Sequence, residues 1–409
     1  MNYDVIVVGG GPAGMFAAIT AAQHGGKVLL LEANDRLGKK LLITGKGRCN
    51  VTNNCTAAEV LQNVPRNGRF LFSVMEQCDP AFMMDFFESN ACKLKTERGN
   101  RVFPVTDKSG SVLECLRNVM HKYGVTVKND RVSALVHADG QITGVKAAGN
   151  TICCDRVILA TGGLSYPATG STGDGYKMAE AVGHTIIPAE GSLVPLETAG
   201  EDHLEMQGLS LRNVGVRLLS EKGKVLYKDF GELLFTHFGL SGPTVLSASA
   251  HLKGHNCKLI VDLKPALDEG KLNDRILRDL ETYKNRSMEN ALTDLLPRSM
   301  IPVVLYRCGI DSEMQANSLR KEQRRAMVQC LKNFEMIVTG KRPVEEAIIT
   351  SGGVKVSEID PKTMESKKLS GLYFAGEIID CDAYTGGFNL QIAWATAYAA
   401  GKSAIDKQA

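Results

Sequence analysis

The hydrophobic pattern at the start of the chain is typical of a β–α–β unit. Residues 5–8 are all aliphatic and β-branched and have the length of one buried strand. Residues 15–22 are rich in small side chains and predict a helix that can lie close against a sheet. A second apolar segment, residues 27–31, predicts another strand, which runs directly into the acidic residue Glu32.

A glycine-rich turn joins the first strand to the helix, with Gly9, Gly11 and Gly14 in the spacing of a dinucleotide fingerprint. The first glycine permits the tight turn, the second lets the backbone approach a pyrophosphate, and the third lets helix and strand pack closely. Free N–H groups and the dipole at the helix start attract phosphates. We expect Glu32 to accept hydrogen bonds from a ribose diol, which favours FAD or NAD over NADP.

Two further glycine clusters lie far downstream and favour FAD, because a cofactor that uses both ends of the chain must be extended. An apolar strand at residues 155–160 runs into Thr161, Gly162 and Gly163, after a predicted three-stranded meander at residues 131–137, 142–147 and 151–154. A later strand at 371–374 ends in Gly376 and Glu377, and a helix predicted to extend to residue 400 follows. These motifs resemble the FAD-binding domains of the glutathione-reductase and fumarate-reductase type. That resemblance implies that Glu377 binds the ribitol and that the last helix points its N-terminus at the flavin.

Six blocks resemble a bacterial family of NAD(P)/FAD-dependent oxidoreductases that includes aminoacetone oxidases and gut bacterial bile-acid dehydroreductases. The blocks are LLITGKGRCNVTN (41–53), RVFP (101–104), GELLFTHFGLSGP (231–243), TSGGV (350–354), TMESK (363–367) and TGGFNLQ (385–391). The resemblance covers essentially the whole chain. It implies an α/β fold with a Rossmann-like FAD-binding domain, made of N- and C-terminal segments, that carries an inserted β-barrel and a helical domain.

The family resemblance implies that the glycine-rich block at residues 44–50 lies beside the cofactor. Its Arg48 or Lys46 is a candidate to offset negative charge on the reduced flavin or a phosphate. Cys49 is a less favoured candidate nucleophile. Motifs and resemblance together predict the following cofactor-binding residues: Gly9, Gly11, Pro12, Ala13, Gly14, Glu32, Ala33, Lys40, Gly47, Arg48, Cys49, Asn50, Val51, Val132, Thr161, Gly162, Gly163, Gly376, Glu377, Gly387, Phe388, Asn389 and Gln391.

The pattern predicts that the FAD-binding domain is interrupted. Residues 1–190 and 343–409 form its two parts, residues 191–266 form an inserted β domain, and residues 267–342 form an inserted helical domain. Helical spacing in the last range is shown by Leu272, Ile276, Leu277 and Leu280, and again by Met327, Cys330, Leu331 and Phe334. A parallel α/β pattern is expected to resume near residue 347.

Composition bears on the partners, the compartment and the redox chemistry of the protein. The 409 residues have a net charge of +3, too slight to predict a nucleic-acid or membrane partner. The basic run at residues 320–325 is therefore interpreted as a solvated helix face. Eleven cysteines without a C-x-x-C pair predict reduced thiols in a cytoplasmic protein, without a redox-active disulfide. No metal-binding spacing, secretory signal or membrane span is apparent. We expect a small-molecule substrate and a monomer or homodimer.

Three functions are compatible with these motifs. The favoured one, on the family resemblance, is NAD(P)H-dependent reduction of an activated C=C bond, as in an unsaturated steroid or bile-acid-like ketone. A flavin oxidase of a small amine or aminoketone that produces hydrogen peroxide is the first alternative, and an RNA-modifying flavoprotein is the second. The sequence contains no second dinucleotide fingerprint, so NAD(P)H would have no Rossmann domain of its own. It also assigns no catalytic residue: His237, Tyr166, Tyr384, Asp380 and Asp382 are candidates for proton transfer or substrate contact.

Overall fold

The computed structural model describes residues 3–252, 254 and 256–406. These residues form two compact units. Unit 1 comprises the described residues up to Ser192 and those from Val344 onwards, and unit 2 comprises Leu193–Pro343.

The N-terminal part of unit 1 alternates strands and helices. Its elements are β1 (Val5–Val8), α1 (Pro12–Gln23), β2 (Val28–Glu32), α2 (Lys39–Ile43), β3 (Thr52–Asn53), α3 (Ala57–Gln62), α4 (Phe72–Gln77), α5 (Pro80–Ser89), β4 (Leu94–Glu97), β5 (Arg101–Pro104), α6 (Ser109–Lys122), β6 (Thr126–Asn129), β7 (Val132–Ala138), β8 (Gln141–Ala147), β9 (Asn150–Cys153), β10 (Val157–Leu159), α7 (Asp174–Ala181) and β11 (Ile186–Ser192).

Unit 2 contains short strands followed by helices, and the chain then returns to unit 1. The elements of unit 2 are β12 (Leu196–Thr198), α8 (Asp202–Glu205), β13 (Ser210–Leu219), β14 (Val225–Thr236), β15 (Gly239–Ser241), α9 (Pro243–Ser249), β16 (Cys257–Asp262), α10 (Glu269–Thr282), α11 (Met288–Ala291), α12 (Ile301–Arg307), α13 (Lys321–Lys332) and β17 (Phe334–Lys341). The return segment adds β18 (Ile349–Val354), β19 (Leu372–Phe374) and α14 (Phe388–Ser403) to unit 1.

A five-stranded parallel sheet in the order β19-β10-β1-β2-β6 is the centre of unit 1. Every residue of β1, β2, β10 and β19 is buried, as expected for parallel strands covered on both faces. Helix α14 packs against α1, where a Cβ on Gly401 would lie 2.5 Å from the carbonyl oxygen of Ala17. The two ends of the chain therefore form one domain around one sheet, as the sequence predicted.

Smaller antiparallel sheets surround this centre. The predicted meander is present as β7-β8-β9, and β3-β5-β4 forms a second three-stranded sheet. Strand β18 pairs with β11 in antiparallel orientation, so the parallel pattern expected near residue 347 is wrong at this strand. Only β19 of the return segment enters the parallel sheet, through its pairing with β10.

Unit 2 is a closed six-stranded barrel, β12-β15-β14-β13-β16-β17, with helices α10–α13 packed on the same hydrophobic core. Strand β17 lies within the range predicted to be helical, so that prediction is wrong for Phe334–Lys341. Helix α13 ends at Lys332, and burial then alternates residue by residue through Phe334, Met336 and Val338. Phe334 fits the helical spacing of the apolar residues in α13, so the sequence did not reveal that a strand begins there. Among the described helices of the chain, none has the length and apolar character needed to cross a bilayer.

Candidate functional site

A cavity of about 350 Å³ in unit 1 runs across the carboxyl ends of the parallel strands. Ligand sites of open parallel sheets lie at this edge. The walls of the cavity come from strands on both sides of β1. Glu32 ends β2 on one side of β1, and Ala375 follows β19 on the other side. Twelve predicted cofactor residues line the cavity: Gly9, Gly11, Pro12, Ala13, Glu32, Ala33, Lys40, Val132, Thr161, Gly162, Glu377 and Asn389.

The first glycine loop has the geometry of a phosphate loop. Gly9 has φ +105°, and a Cβ there would lie 2.5 Å from the carbonyl oxygen of Ala160. A Cβ on Gly14 would lie 1.8 Å from the carbonyl oxygen of Gly9. A Cβ on Gly11, in contrast, would have no atom of the described residues within 4 Å, because this position faces the cavity. Helix α1 begins at Pro12 without a side-chain cap among the described residues, which leaves backbone N–H groups for an anion.

Glu32 is held in a fixed orientation at the end of β2. Its side chain is 8% exposed. The backbone N–H of Gly10 donates to Oε2 over 2.6 Å, while the backbone and side-chain nitrogens of Asn34 donate to Oε1 over 2.7 and 2.6 Å. A carboxylate with two oxygens retains acceptor capacity beyond these bonds. Its role as acceptor for a ribose diol stays a prediction.

Glu377 lies at the opposite end of the cavity and forms a nearly buried ion pair. Lys40 Nζ lies 2.6 Å from Oε2, and both side chains are less than one-fifth exposed. Ser165 Oγ and the backbone N–H of Thr350 donate to Oε1 over 3.0 and 2.9 Å. Lys40 also donates to Ser165 Oγ over 2.6 Å. Both carboxylate oxygens of Glu377 accept hydrogen bonds within the protein, and contact of Glu377 with the ribitol stays a prediction.

The second glycine-rich loop touches the cavity only through Thr44. Arg48 forms ion pairs with Glu97 and Asp107, and its guanidinium stacks 4.1 Å from the ring centre of Phe103. It does not line the cavity, and its expected role in offsetting charge on the cofactor stays a prediction. The carboxylates of Glu97 and Asp107 already neutralise the guanidinium of Arg48.

Cys49 is fully buried and has φ +60°. Burial raises the pKa of its thiol to about 12, so the group is a thiol at neutral pH and a poor nucleophile. The neighbouring predicted contacts Gly47, Asn50 and Val51 also lie off the cavity wall. The side-chain Oδ1 of Asn50 is buried and has no hydrogen-bond partner among the described residues.

The remaining predicted residues support the wall rather than line it: Gly14, Gly163, Gly376, Gly387, Phe388 and Gln391. A Cβ on Gly376 would lie 2.7 Å from Cβ of Ala13, and one on Gly387 would lie 2.4 Å from the backbone of Thr52. Gln391 is completely buried, accepts from Thr52 Oγ1 over 2.7 Å and donates to the carbonyl of Cys78 over 2.7 Å. The four glycines among these residues serve close packing, and contact of the six residues with the cofactor stays a prediction.

The candidate proton donors are dispersed. His237 is exposed in unit 2 and meets Phe238 edge to face. Tyr166 has the unusual φ of +54°, and neither Tyr166 nor Tyr384 lines the cavity. Asp380 is paired with Arg66 over 2.9 Å.

Several residues that line the cavity were not among the predicted cofactor contacts. Beside Glu32 these are Asn34, Asp130, Arg131, Asp174 and Met178, and at the other end Ile348, Ile349, Cys381, Leu390 and Ile392. Arg131, which directly precedes β7, forms an ion pair with Asp174 of α7. Asn34 had a usable signal because it follows the fingerprint acid by two residues, and Leu390 had one because it lies in the block TGGFNLQ.

The cavity fits an extended dinucleotide. It crosses the sheet beyond the phosphate loop, it is open at Gly11, and it carries an acid at the end of β2. Sheet, loop and cavity together define a Rossmann-type FAD-binding domain of a flavin-dependent oxidoreductase.

The chain belongs to the HI0933-like family, since the model described as HI0933-like protein Rossmann domain matches residues 3–403. It is 32% identical to a 3-dehydro-bile acid delta(4,6)-reductase of Clostridium scindens, over 98% of each chain. It is 30% identical to a ribosomal RNA dihydrouridine synthase of Escherichia coli, over 99% of this chain and 98% of that protein. Its fold is similar to that of 3-ketosteroid delta1-dehydrogenase from Sterolibacterium denitrificans (TM-score 0.53, 15% identity, 99% of each chain).

These findings confirm the predicted fold class and family. They do not support the exclusion of a nucleic-acid partner, because one full-length relative is named as an RNA-modifying enzyme. The low net charge was a weak reason for that exclusion, since an enzyme can bind RNA through a local basic surface.

Proposed function

We propose that this protein reduces a carbon–carbon double bond conjugated to a carbonyl group, with FAD as its cofactor and NAD(P)H as the electron source. The favoured substrate is an unsaturated steroid or bile-acid-like ketone. The observation that carries this proposal is the full-length similarity to a protein named as a bile-acid reductase.

The walls of the cavity are compatible with such a substrate. At the end formed by β18 and α14 they contain the aliphatic side chains of Ile348, Ile349 and Leu390. Ile348 is 39% exposed and lines the cavity, so its side chain is accessible to an apolar ligand there. Aliphatic walls also exclude water from the reacting atoms.

The chain's own residues would hold the cofactor in three places. The N-terminus of α1 and the open backbone at Gly11 would bind the pyrophosphate, Glu32 would orient the adenosine ribose, and the segment after β19 would lie beside the flavin. The Lys40–Glu377 pair fixes that segment to α2. FAD, when bound, supplies hydride chemistry.

The overall reaction balances as NAD(P)H, one proton and the unsaturated ketone giving NAD(P)⁺ and the saturated ketone. The hydride adds to the carbon β to the carbonyl, and the proton adds to the α carbon. The carbonyl oxygen carries the negative charge between these two events, so a hydrogen-bond donor near it would stabilise the transition state.

Anaerobic stopped-flow mixing tests this proposal. We expect NADH or NADPH to bleach the yellow protein, and a 3-keto-Δ4 steroid to restore the colour while the saturated ketone accumulates. The matched control is a saturated 3-keto steroid, which should leave the reduced protein bleached. A protein that is reduced by NAD(P)H but never reoxidised by the unsaturated ketone would contradict this substrate class.

The same experiment separates the oxidase alternative. An amine oxidase would be bleached by aminoacetone itself, and dioxygen would restore the colour rapidly with formation of hydrogen peroxide. We expect neither rapid bleaching by aminoacetone nor stoichiometric peroxide.

A second candidate substrate is a uridine of ribosomal RNA, favoured by the full-length similarity to a ribosomal RNA dihydrouridine synthase. The C5–C6 double bond of uracil is also conjugated to a carbonyl group, so the same flavin chemistry applies. Unmodified ribosomal RNA, incubated with protein and NADPH, would then gain dihydrouridine detectable by mass spectrometry. RNA binding that weakens steeply with salt would accompany it. Absence of both would leave the small-molecule substrate.

A further inference from the structure

Asp382 is a buried carboxyl group of unit 1 to which the proposed reduction assigns no role. Its side chain is 1% exposed. Ser192 Oγ donates to Oδ2 over 2.7 Å, and Ser351 Oγ donates to Oδ1 over 2.9 Å. Burial raises the pKa of Asp382 above its ordinary value of 3.8, and the two hydroxyl donors oppose this only in part.

The segment that carries Asp382 forms part of the cavity wall. Its neighbour Cys381 lines the cavity. The next residue, Ala383, is clamped by Asn389, which accepts from the Ala383 N–H over 2.8 Å and donates to the Ala383 carbonyl over 2.7 Å. Asn389 also lines the cavity, so a change in the charge of Asp382 occurs directly behind this wall.

Strand β18 supplies the other side of the contact. Ser351 lies two residues beyond the wall residue Ile349, and residues two apart in a strand share a face. Gly353 permits this close approach, because a Cβ there would lie 2.4 Å from the carbonyl oxygen of Ile378. Asp382 is therefore fixed between the cavity wall and the strand that continues it.

The charged and titratable groups around Asp382 do not neutralise it directly. Arg66 donates to Ser351 Oγ over 2.7 Å and to Asp380 Oδ1 over 2.9 Å, so Asp380 is its direct carboxylate partner. Asp380 raises the pKa of Asp382, while Arg66 lowers it from a greater distance. The buried thiol of Cys381 has a pKa raised by burial and is uncharged at neutral pH. An ionised carboxylate with only hydroxyl donors is costly to bury and gains most from an added proton.

We propose that Asp382 is a positioning residue that takes up one proton from solvent when negative charge enters the cavity, and so keeps the Cys381–Ala383 wall in place throughout the reaction. The proposal rests on the proposed function, in which a hydride brings two electrons and one proton from NAD(P)H. That leaves one negative charge, which a proton on Oδ1 or Oδ2 of Asp382 balances. The proton returns to solvent when the hydride leaves for the substrate.

Counting protons during reduction tests the proposal without any organic substrate. Dithionite reduces the FAD-loaded protein anaerobically in weakly buffered solution with an indicator dye, so the result does not depend on which ketone or RNA is reduced. We expect Asp382→Asn to take up about one proton fewer per pair of electrons than the wild type near neutral pH. Asp155→Asn, which removes an exposed carboxylate of the same unit, should match the wild type. Equal uptake by Asp382→Asn and wild type overturns the proposal.

Unfolding of the FAD-free protein provides a second readout in case Asp382→Asn binds FAD poorly. The pKa of Asp382 is raised in the folded state, so its stabilising contribution is complete below pH 3.8 and is lost as pH rises through the folded value. The melting temperature of Asp382→Asn minus that of the wild type should therefore increase as pH rises. This difference should become constant once pH is above the folded-state pKa of Asp382. Ser351→Ala removes one donor to the carboxylate and should shift this change to higher pH. A difference that does not vary with pH contradicts the proton-holding role.

Discussion

Two glycine-rich loops of unit 1 were both expected to lie beside a cofactor, and they differ in which of their groups remain available to a ligand. In the loop at Gly9–Gly14, a Cβ at Gly11 would meet no atom of the described residues, and Glu32 is held at the cavity. In the loop at residues 44–50, Arg48 is paired with two carboxylates and Cys49 is fully buried. The backbone of the first loop is therefore accessible to a ligand. In the second loop, the side chains of Arg48 and Cys49 are already paired or buried within the protein.

This difference shows that a glycine in the sequence can indicate a particular backbone conformation without indicating a bound ligand. Gly45 and Gly47 have φ +56° and +82°, and they serve a tight turn that carries Lys46 at φ +58°. Open space beside a glycine is not sufficient, because glycines of exposed turns such as Gly25 and Gly140 have it as well. Gly11 differs from them because it also lines the cavity, so a ligand there can approach its backbone.

The largest expected effect comes from adding side chains to the first loop. Gly11→Val has room in the protein and a permitted φ of −74°, so the FAD-free protein should change in stability by less than about 0.5 kcal/mol. Because the added methyl groups enter the cavity, affinity for FAD should fall at least about 100-fold, or about 2.7 kcal/mol. Flavin fluorescence titration and thermal unfolding measure the two quantities.

Gly14→Ala is the matched control, since its Cβ would lie 1.8 Å from a backbone oxygen of Gly9. We expect it to destabilise the FAD-free protein by about 3 kcal/mol, because the overlap involves backbone that cannot move aside. If Gly11→Val bound FAD like the wild type, the cavity would not be the cofactor site.

A smaller effect is expected at the Lys40–Glu377 pair. Lys40→Gln leaves the carboxylate of Glu377 without its cation in a nearly buried position, and we expect a loss of about 2 kcal/mol in unfolding free energy. The double variant Lys40→Gln with Glu377→Gln removes the stranded charge and should recover at least half of that loss. Additive losses in the double variant would mean that the two side chains act independently.

The contrast between the loops also explains how far the sequence could predict this molecule. The strand, glycine loop, helix and Glu32 are contiguous, so local pattern was sufficient for them. The partners of Arg48 lie 49 and 59 residues away in the chain, and no local pattern pointed to them. The same holds for β17, which closes the barrel by pairing with β12 and β16, distant in sequence, while continuing the apolar spacing of α13.

The smallest effects are expected in the second loop, where Arg48→Ala and Cys49→Ala test whether it contacts the cofactor at all. Arg48 is partly exposed and its ion pairs lie in solvent-accessible positions, so the melting temperature should fall only slightly and affinity for FAD should change less than about threefold. Titration with FAD and thermal unfolding give both values.

Cys49→Ala removes a thiol whose pKa of about 12 keeps it protonated at neutral pH. A catalytic thiolate would lose its role in this variant, and turnover would fall by orders of magnitude. We expect turnover within about twofold of the wild type once the FAD content is equalised, because burial without a base gives the thiol a packing role. Rapid alkylation of Cys49 by iodoacetamide in the folded protein, with parallel loss of turnover, would reverse this assignment and bring the second loop back to the cofactor.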